Sequence, residues 1–280
     1  MKKVGIVLIK NQNKNYPAGD FRSRECIELL KEADIVVTNP PFSLWRKFLA
    51  QLMEYNKKFL IIGKITHISE KEIFPLFKDG KMWLGISIRS GAREFKIPYD
   101  YDISISTINR LDDRNTRYIK IGGIRWFTNL KTAYKQPPLD MREVHYTPEK
   151  YPKYDNYDAI NVDKVADIPC DYPGVMGVPL SFMDKYCPEQ FEIVGLAGKD
   201  GFGLKSYKKY DDYYEIRPDG KPTGASGKKT NGNPVLAGKT NKSNYFLDAL
   251  GKTVRSLYSR IFIKSKHPEN SKQNAGLKPA

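Results

Sequence analysis

The most informative stretch of the sequence is Asp34-Ile35-Val36-Val37-Thr38-Asn39-Pro40-Pro41-Phe42-Ser43. Its apolar, β-branched first half predicts a buried strand of a parallel sheet, which is covered on both faces. Two consecutive prolines cannot donate hydrogen bonds to a strand ladder, so we expect the strand to end at Asn39. Ser43 can cap a following helix. In that helix six apolar residues form one stripe, namely Leu44, Trp45, Phe48, Leu49, Leu52 and Met53.

Strand and helix patterns alternate on both sides of this stretch. The predicted elements are strands at Val4–Ile9, Phe59–Gly63 and Met82–Ile88, and a helix at Ser23–Lys31. Ser69 and Glu72 have the spacing of a capping box, which predicts a further helix that runs to Lys78 and is bent or shortened near Pro75. The alternation predicts an α/β fold with a doubly wound sheet.

Beyond about residue 95 the sequence predicts short strands joined by long loops. The expected strands are Tyr118–Ile124 with Trp126 and Phe127, then Phe191–Gly195, then Val254–Lys266. Pro218–Asn244 is dense in Gly, Lys, Asn, Thr and Pro, which predicts a mobile loop. The last dozen residues are expected to form a disordered tail.

The charge of the chain is positive and unevenly distributed. The 280 residues carry a formal net charge of +15. Residues 201–280 hold 16 Lys and Arg against 6 Asp and Glu, a net charge of +10. A concentrated basic region favours a polyanionic partner, usually nucleic acid, and the alternative is a solubilising tail.

The cysteines, histidines and apolar runs limit the class of protein. Cys26, Cys170 and Cys187 are widely spaced and odd in number, which argues against a disulfide framework and favours a reducing, cytoplasmic setting. The three histidines are scattered, so we expect no metal site. No apolar run approaches the roughly 20 residues of a membrane span, so we expect no membrane partner.

The Asn39-Pro40-Pro41-Phe42 turn has the groups needed for chemistry on an exocyclic amine. The Asn39 carboxamide oxygen and the Pro40 carbonyl are two acceptors in a stiff turn, and Phe42 offers a face for a stacked base. Acceptors on both N–H bonds favour a tetrahedral nitrogen with an exposed lone pair, so methyl transfer needs mainly positioning and electrostatics. The alternative is a strand that simply ends in a diproline turn.

Several lysines are candidate contacts to DNA phosphates. Lys150 and Lys153 stand among tyrosines at 146, 151, 154 and 157, a pattern typical either of a nucleic-acid surface or of irregular loop packing. Lys228, Lys229, Lys239 and Lys242 lie in the predicted Gly-rich loop, where they contact phosphates or are merely solvated. Trp126 is read as a core residue rather than a base wedge.

The sequence resembles the EcoRI-type adenine-specific DNA methyltransferases of restriction–modification systems and phages. The likeness runs from about residue 19 to 195. It rests on Gly19–Ser23, Ala33–Ser43, Phe59–Gly63, Ile124–Leu130, Tyr151–Val162, Gly174–Pro179 and Pro188–Ile193.

This resemblance implies a site-specific enzyme with a Rossmann-like core. S-Adenosylmethionine is then the donor, and a flipped adenine of double-stranded DNA is methylated at N6. Asn39, Pro40 and Phe42 contact that adenine, while Asp20, Phe21 and Asn39 contact the donor. The implied regions are a partial core with the catalytic motif at 1–95, a mixed α+β DNA-recognition extension at 96–200, and a basic, loop-rich carboxyl region at 201–280.

One departure from the family pattern keeps two alternatives open. Only 18 residues precede Gly19 and they contain no G-x-G turn, so we expect an upstream segment or a split partner chain to complete the donor pocket. One alternative is a truncated remnant that binds DNA without catalysis. The other is a protein glutamine methyltransferase, a class that also uses Asn-Pro-Pro-aromatic, usually with Tyr last.

Overall fold

A computed structural model provides the fold of two compact units. It describes residues 16–17, 19–86, 93–98, 100–102, 104, 108–112, 114, 116–131, 136–198 and 201–268. Unit 1 comprises the described residues up to Lys64 together with those of Lys81–Lys131, and unit 2 comprises Ile65–Gly80 and the described residues from 136 onward. The predicted Val4–Ile9 strand and the predicted carboxyl-terminal tail lie outside the described residues.

Unit 1 contains a mixed four-stranded sheet. Its strands are β1 (Ile35–Thr38), β2 (Lys58–Lys64), β3 (Trp83–Leu84) and β7 (Ile124–Thr128). The order is β1-β2-β7-β3, with β1 parallel to β2 and the other pairs antiparallel. The Phe59–Gly63 strand is confirmed, whereas the Met82–Ile88 strand is reduced to two described residues.

The predicted burial of β1 is wrong. Ile35 is 48% exposed and Val37 is 63% exposed, so the face of β1 that carries them is uncovered. β1 is also the edge strand of this sheet and pairs only with β2 among the described strands. Local sequence favours a strand, but burial depends on which elements cover it. The carboxyl end of β1 is therefore an accessible edge.

Two α-helices flank this strand in sequence. Helix α1 (Arg24–Glu32) is capped by Ser23, whose Oγ accepts from the Cys26 amide at 3.2 Å. Helix α2 (Trp45–Glu54) buries Trp45, Leu49 and Leu52. The predicted Ser43 cap is wrong, because Phe42–Leu44 forms a 3-10 turn that leads directly into α2 and no side chain caps it.

A second sheet of unit 1 is three-stranded and antiparallel. Its order is β4-β6-β5, with β4 at Arg93–Ile97, β5 at Ile108–Leu111 and β6 at Arg117–Ile121. The continuous strand expected from Tyr118 to Phe127 is thus wrong. Gly123 has a φ of +71°, which lets the chain turn and pass from β6 into β7 of the other sheet.

Unit 2 begins with short helical segments. Ile65–Ser69 is a 3-10 helix and α3 spans only Phe74–Lys78. The predicted capping box does not form, because the Ser69 hydroxyl donates back to the Thr66 carbonyl at 2.7 Å. Pro75 lies in the first turn of α3, where a missing amide hydrogen is tolerated, so the helix begins later than expected.

Two sheets make up most of unit 2. One has the order β10-β16-β9-β8 and the other β12-β11-β14-β15-β13. The first contains β8 (Ile160–Asn161), β9 (Met176–Pro179), β10 (Phe191–Leu196) and β16 (Arg260–Ser265). The second contains β11 (Tyr214–Ile216), β12 (Pro222–Ser226), β13 (Val235–Ala237), β14 (Tyr245–Leu247) and β15 (Thr253–Ser256). Further 3-10 turns lie at Val165–Asp167, Leu180–Asp184 and Gly227–Thr230.

The mobile loop predicted at Pro218–Asn244 is wrong. This segment holds β12, a 3-10 turn and β13, joined by glycines in the left-handed region such as Gly220 and Gly232. Turn-forming residues mark the links between short strands here, not an absence of structure. The Val254–Lys266 strand divides into β15 and β16, while the Phe191–Gly195 strand is confirmed.

Two of the four described sheets are mixed and the other two are wholly antiparallel. Parallel pairing occurs between β1 and β2 and between β8 and β9, and the other described pairs are antiparallel. The doubly wound, Rossmann-like core remains a prediction. No helix in the described part of the chain is long and apolar enough to span a membrane.

Candidate functional site

Asn39 and Pro40 offer two unoccupied acceptors at the carboxyl end of β1. Asn39 is exposed, and its carboxamide forms no hydrogen bond with another described residue. The carbonyl of buried Pro40 likewise accepts none from the described residues, whereas that of Pro41 accepts from the Leu44 amide at 3.0 Å. Ligand sites of open α/β sheets lie at this end of the strands. The turn thus presents two acceptors that no described residue uses.

The Phe42 ring is held next to these acceptors by the 3-10 turn. Phe42 is half-buried, and Lys64 Nζ lies 5.5 Å from its ring centroid. Lys64 ends β2, the strand that pairs with β1. One part of the ring remains open to solvent, so a planar partner can reach it.

The turn leads into a tightly packed cluster of Trp45, Phe127 and Gly63. Trp45 begins α2, donates from Nε1 to the Ile62 carbonyl at 2.8 Å, and meets Phe127 edge-on at a ring distance of 4.8 Å. A Cβ atom at Gly63 would lie 2.8 Å from both rings. Only glycine fits there, so β2, β7 and the start of α2 are locked together.

Asp20 and Phe21 are anchored to the same helix. The Phe21 ring meets Phe48 edge-on at 5.1 Å, and Gln51 Nε2 donates to the Phe21 carbonyl at 3.0 Å. Asp20 Oδ1 accepts from both the amide and Nε of Arg22 at 2.9 Å, and Oδ2 accepts from NH2 of Arg22 at 2.7 Å. These hydrogen bonds from Arg22 lower the pKa of Asp20 to about 2. The carboxylate is charged and oriented, with lone-pair capacity left for one further donor.

The tyrosine-rich segment is core rather than a base-stacking surface. Tyr151, Tyr154 and Tyr157 are buried, and the Tyr154 hydroxyl donates to Asn161 Oδ1 at 2.8 Å. Their rings are therefore closed to nucleic acid, and the packing interpretation holds for these three residues. Lys150 and Lys153 remain exposed beside them.

Two of the predicted DNA-binding lysines line a groove in unit 2. Lys228 and Lys229 lie on one side of an open groove of about 800 Å³, and Lys205, Lys208 and Lys209 also line it. Sequence reasoning missed these last three, although the run Lys205-Ser206-Tyr207-Lys208-Lys209 is itself basic and aromatic. Lys239 and Lys242 are exposed outside the groove lining.

Three potential metal-ligand side chains meet elsewhere in unit 2. His145 Nδ1 lies 3.1 Å from Asp171 Oδ2 and 3.6 Å from Cys170 Sγ, and the three ligand atoms lie within 4.8 Å of one another. These donor types suit a transition metal. The expectation of no metal site rested on spacing along the chain, which does not reveal that residues 145 and 170–171 meet.

Comparisons with known proteins identify the family. A family model described as adenine-specific methyltransferase EcoRI matches residues 2–266, so the chain belongs to this family of methyltransferases. It is 50% identical over 177 residues to the type II methyltransferase M.EcoRI of Escherichia coli, a match that covers 63% of this chain and 54% of that protein.

Two relatives come from mycoplasmas. Type II methyltransferase M.MgeORF184P of Mycoplasma genitalium is 45% identical over 178 residues, and M.MpnI of Mycoplasma pneumoniae is 41% identical over 178 residues. Each match covers 63% of this chain and 56% of the relative. The chain thus spans about half the length of the curated relatives it matches. No solved structure matches it.

Proposed function

We propose that the chain carries the target-base site of a site-specific DNA adenine-N6 methyltransferase. The observation that carries this proposal is the pair of unoccupied acceptors, the Asn39 carboxamide oxygen and the Pro40 carbonyl, at the end of β1. The relatives are named type II methyltransferases, and the family is named adenine-specific. Double-stranded DNA is the corresponding substrate.

The two acceptors match the two hydrogens of an adenine amino group. That nitrogen is a weak nucleophile because its lone pair is conjugated into the ring. Hydrogen bonds from both N–H groups to Asn39 and Pro40 favour a tetrahedral nitrogen and direct its lone pair outward. The proton leaves after attack, so no strong base is required, and catalysis comes from positioning and electrostatics.

Phe42 supplies a stacking surface for a base extruded from the duplex. Extrusion costs a few kcal/mol, and stacking on an aromatic ring returns roughly 1–3 kcal/mol. The ring is half-buried and tethered by the turn and by Lys64, so little side-chain entropy is lost when the base arrives. Phe42 therefore offsets part of the cost of extrusion.

The donor side is proposed to involve Asp20, Phe21 and Asn39. The ordered Asp20 carboxylate, with one remaining acceptor position, suits an amino or hydroxyl group of S-adenosylmethionine, and Phe21 suits its adenine ring. Bound S-adenosylmethionine supplies an electrophilic methyl group. These residues orient it and take no proton.

DNA contacts are proposed for the exposed lysines of unit 2. Lys150, Lys153, Lys239 and Lys242 are accessible, and Lys228 lines the basic groove. Lys229 lines it too, but its ion pair with Glu215 gives it a supporting role rather than a phosphate contact. The net charge of +10 in residues 201–280 favours a polyanion. Three free cysteines fit a reducing, cytoplasmic setting, where such DNA is found.

Substitution of Asn39 tests the proposal. Asn39→Ala is expected to lower methyl transfer by roughly 100-fold or more, as loss of one preorganised hydrogen-bonding group does elsewhere. DNA affinity should stay within a few-fold, because Asn39 is proposed to contact no phosphate and, on the DNA side, only the extruded base. Tritium transfer from labelled donor to duplex DNA measures the first quantity, and fluorescence anisotropy measures the second. Activity within threefold of the parent protein would reject the assignment.

A further inference from the structure

The groove of unit 2 is strongly basic on both walls. Its lining residues come mainly from two segments, residues 201–209 and 225–232, which we call its two walls, and its volume is about 800 Å³. Five lysines line it, at positions 205, 208, 209, 228 and 229, and no carboxylate does so among the described residues. Leu204, Ala225 and glycines give the walls an apolar, low-relief character between the charges.

Two of these lysines are already neutralised by partly buried carboxylates. Lys208 Nζ lies 2.5 Å from Asp155 Oδ2, which also accepts from the Tyr210 hydroxyl at 2.9 Å. Lys229 Nζ lies 2.5 Å from Oε1 of buried Glu215. Asp155 and Glu215 do not line the groove, so these ion pairs tether Lys208 and Lys229 to residues outside its lining.

The other three lysines carry charge that the fold leaves uncompensated. Lys205, Lys209 and Lys228 are exposed, and none forms an ion pair with a described residue. Three like charges around one groove repel one another. A polyanion or mobile counterions must neutralise them. Lys205 and Lys209 belong to the first wall and Lys228 to the second.

We propose that this groove binds the phosphodiester backbone of the DNA substrate, with Lys205, Lys209 and Lys228 neutralising phosphates and with Lys208 and Lys229 holding the walls in position. The proposal rests on the proposed function for its ligand, but it concerns a surface separate from Asn39. An open groove with charges on both walls suits a continuous strand of phosphates better than a single small anion, which would be enclosed by converging donors.

The salt dependence of DNA binding measures the proposal directly. Each phosphate neutralised contributes about 0.9 to the slope of log K against log salt concentration, so a triple variant Lys205→Gln, Lys209→Gln, Lys228→Gln should lower the slope by roughly 2–3. Its thermal stability should equal that of the full-length parent, since all three side chains are exposed. Equilibrium binding to a fluorescent duplex of about 20 base pairs, at five salt concentrations, gives the slope.

A matched control separates the groove from overall charge. Lys221→Gln, Lys264→Gln, Lys266→Gln removes the same three charges from exposed positions of the same carboxyl region that do not line the groove. Its slope should change by less than half as much. A Lys→Arg triple at 205, 209 and 228 should retain the parent slope, which guards against loss of fold.

Three results would overturn the proposal. These are an unchanged slope in the groove variant, an equal change in both glutamine triples, or competition by inorganic phosphate as effective as that by DNA phosphates at equal concentration. The Asn39→Ala variant separates the two proposals. It tests the proposed function through methyl transfer, and it leaves unchanged the salt slope that tests the groove.

Discussion

Two asparagines, one in each unit, have opposite surroundings. Asn39 is exposed and its carboxamide bonds to no described residue. Asn156 is fully buried, and its side chain donates to Ser206 Oγ and the Asn233 carbonyl and accepts from the Val235 amide, at 2.8–3.0 Å. Both lie within family-like segments. The likeness alone therefore does not separate a site residue from a scaffold residue, whereas unused hydrogen-bonding capacity does.

The largest difference between site and scaffold is expected for two aromatic residues, Tyr157 and Phe42. Tyr157 is 2% exposed, packs 4.8 Å from the Phe262 ring and donates to the Gly232 carbonyl. Tyr157→Ala should lower the free energy of unfolding by about 3–5 kcal/mol, as large core truncations do. Circular dichroism in denaturant measures the loss. Tryptophan fluorescence reports unit 1 alone, because Trp45, Trp83 and Trp126 all belong to it.

Phe42→Ala is the counterpart in unit 1. It should leave most of the stability intact but weaken capture of an extruded base, while Phe42→Tyr preserves capture because any aromatic face stacks. The fluorescence of 2-aminopurine at the target position reports extrusion. An alanine variant with the parent's fluorescence would contradict the stacking role of Phe42.

The next largest difference in the free energy of unfolding is expected between the alanine variants of Asn156 and Asn39. Asn156→Ala leaves a buried amide and a partly buried carbonyl without partners, so we expect a loss of about 2–3 kcal/mol. Asn39→Ala should change the free energy of unfolding by less than about 0.5 kcal/mol, as surface substitutions do. Chemical denaturation of both variants checks the pair. Similar losses in the two would remove the distinction between site and scaffold.

The smallest effects on stability are expected for two aspartates, Asp20 and Asp155, whose contributions depend on pH. Arg22 lowers the pKa of Asp20 to about 2 through hydrogen bonds two residues away. For Asp155, burial raises the pKa, but hydrogen bonds from Lys208, Tyr210 and Lys252 outweigh it and the pKa lies below its usual range. Both groups thus stabilise the fold above their ordinary pKa near 3.9 and lose that contribution as the pH falls through the lowered value.

The two contributions to the free energy of unfolding are expected to differ in size. Asp20 can meet Arg22 in the unfolded chain as well, whereas Asp155 joins residues 53 to 97 positions away. The difference in melting temperature between parent and Asp155→Asn should therefore shrink markedly between pH 5 and 2, and that for Asp20→Asn only slightly. A carboxyl NMR titration of Asp20 should have its midpoint near 2 and move upward in Arg22→Gln. A midpoint near the ordinary value in the parent would contradict the Arg22 pairing.

Local patterns predicted local structure well. The Phe59–Gly63 and Phe191–Gly195 strands and the helix after Ser23 follow from apolar spacing and a capping side chain, which act within a few residues. The Ser43 cap failed because Ser43 lies inside a 3-10 turn, and the Ser69 cap failed because its hydroxyl donates to the Thr66 carbonyl; spacing encodes neither. The Asn39 motif could be proposed from the sequence because the chemistry it would supply is contained in four consecutive residues.

Features built from distant residues were not predictable. The burial of β1 depends on what covers the strand, and the groove joins residues near 205 to residues near 228 across a reversal of the chain. The ordered segment at 218–244 was missed because glycines in turns and glycines in loops look alike in sequence. His145, Cys170 and Asp171 meet for the same reason, through folding rather than spacing.

Gly63 is a position where the packing under the Phe42–Leu44 turn tolerates no side chain. An added methyl group there would act as a wedge between the Trp45 and Phe127 rings, because it would sit 2.8 Å from each. Trp45 is the residue on which the Phe42–Leu44 turn ends, so a displaced indole would tilt that turn without touching any ligand. A single carbon atom added at position 63 would therefore shift Phe42, the ring proposed to stack on a base.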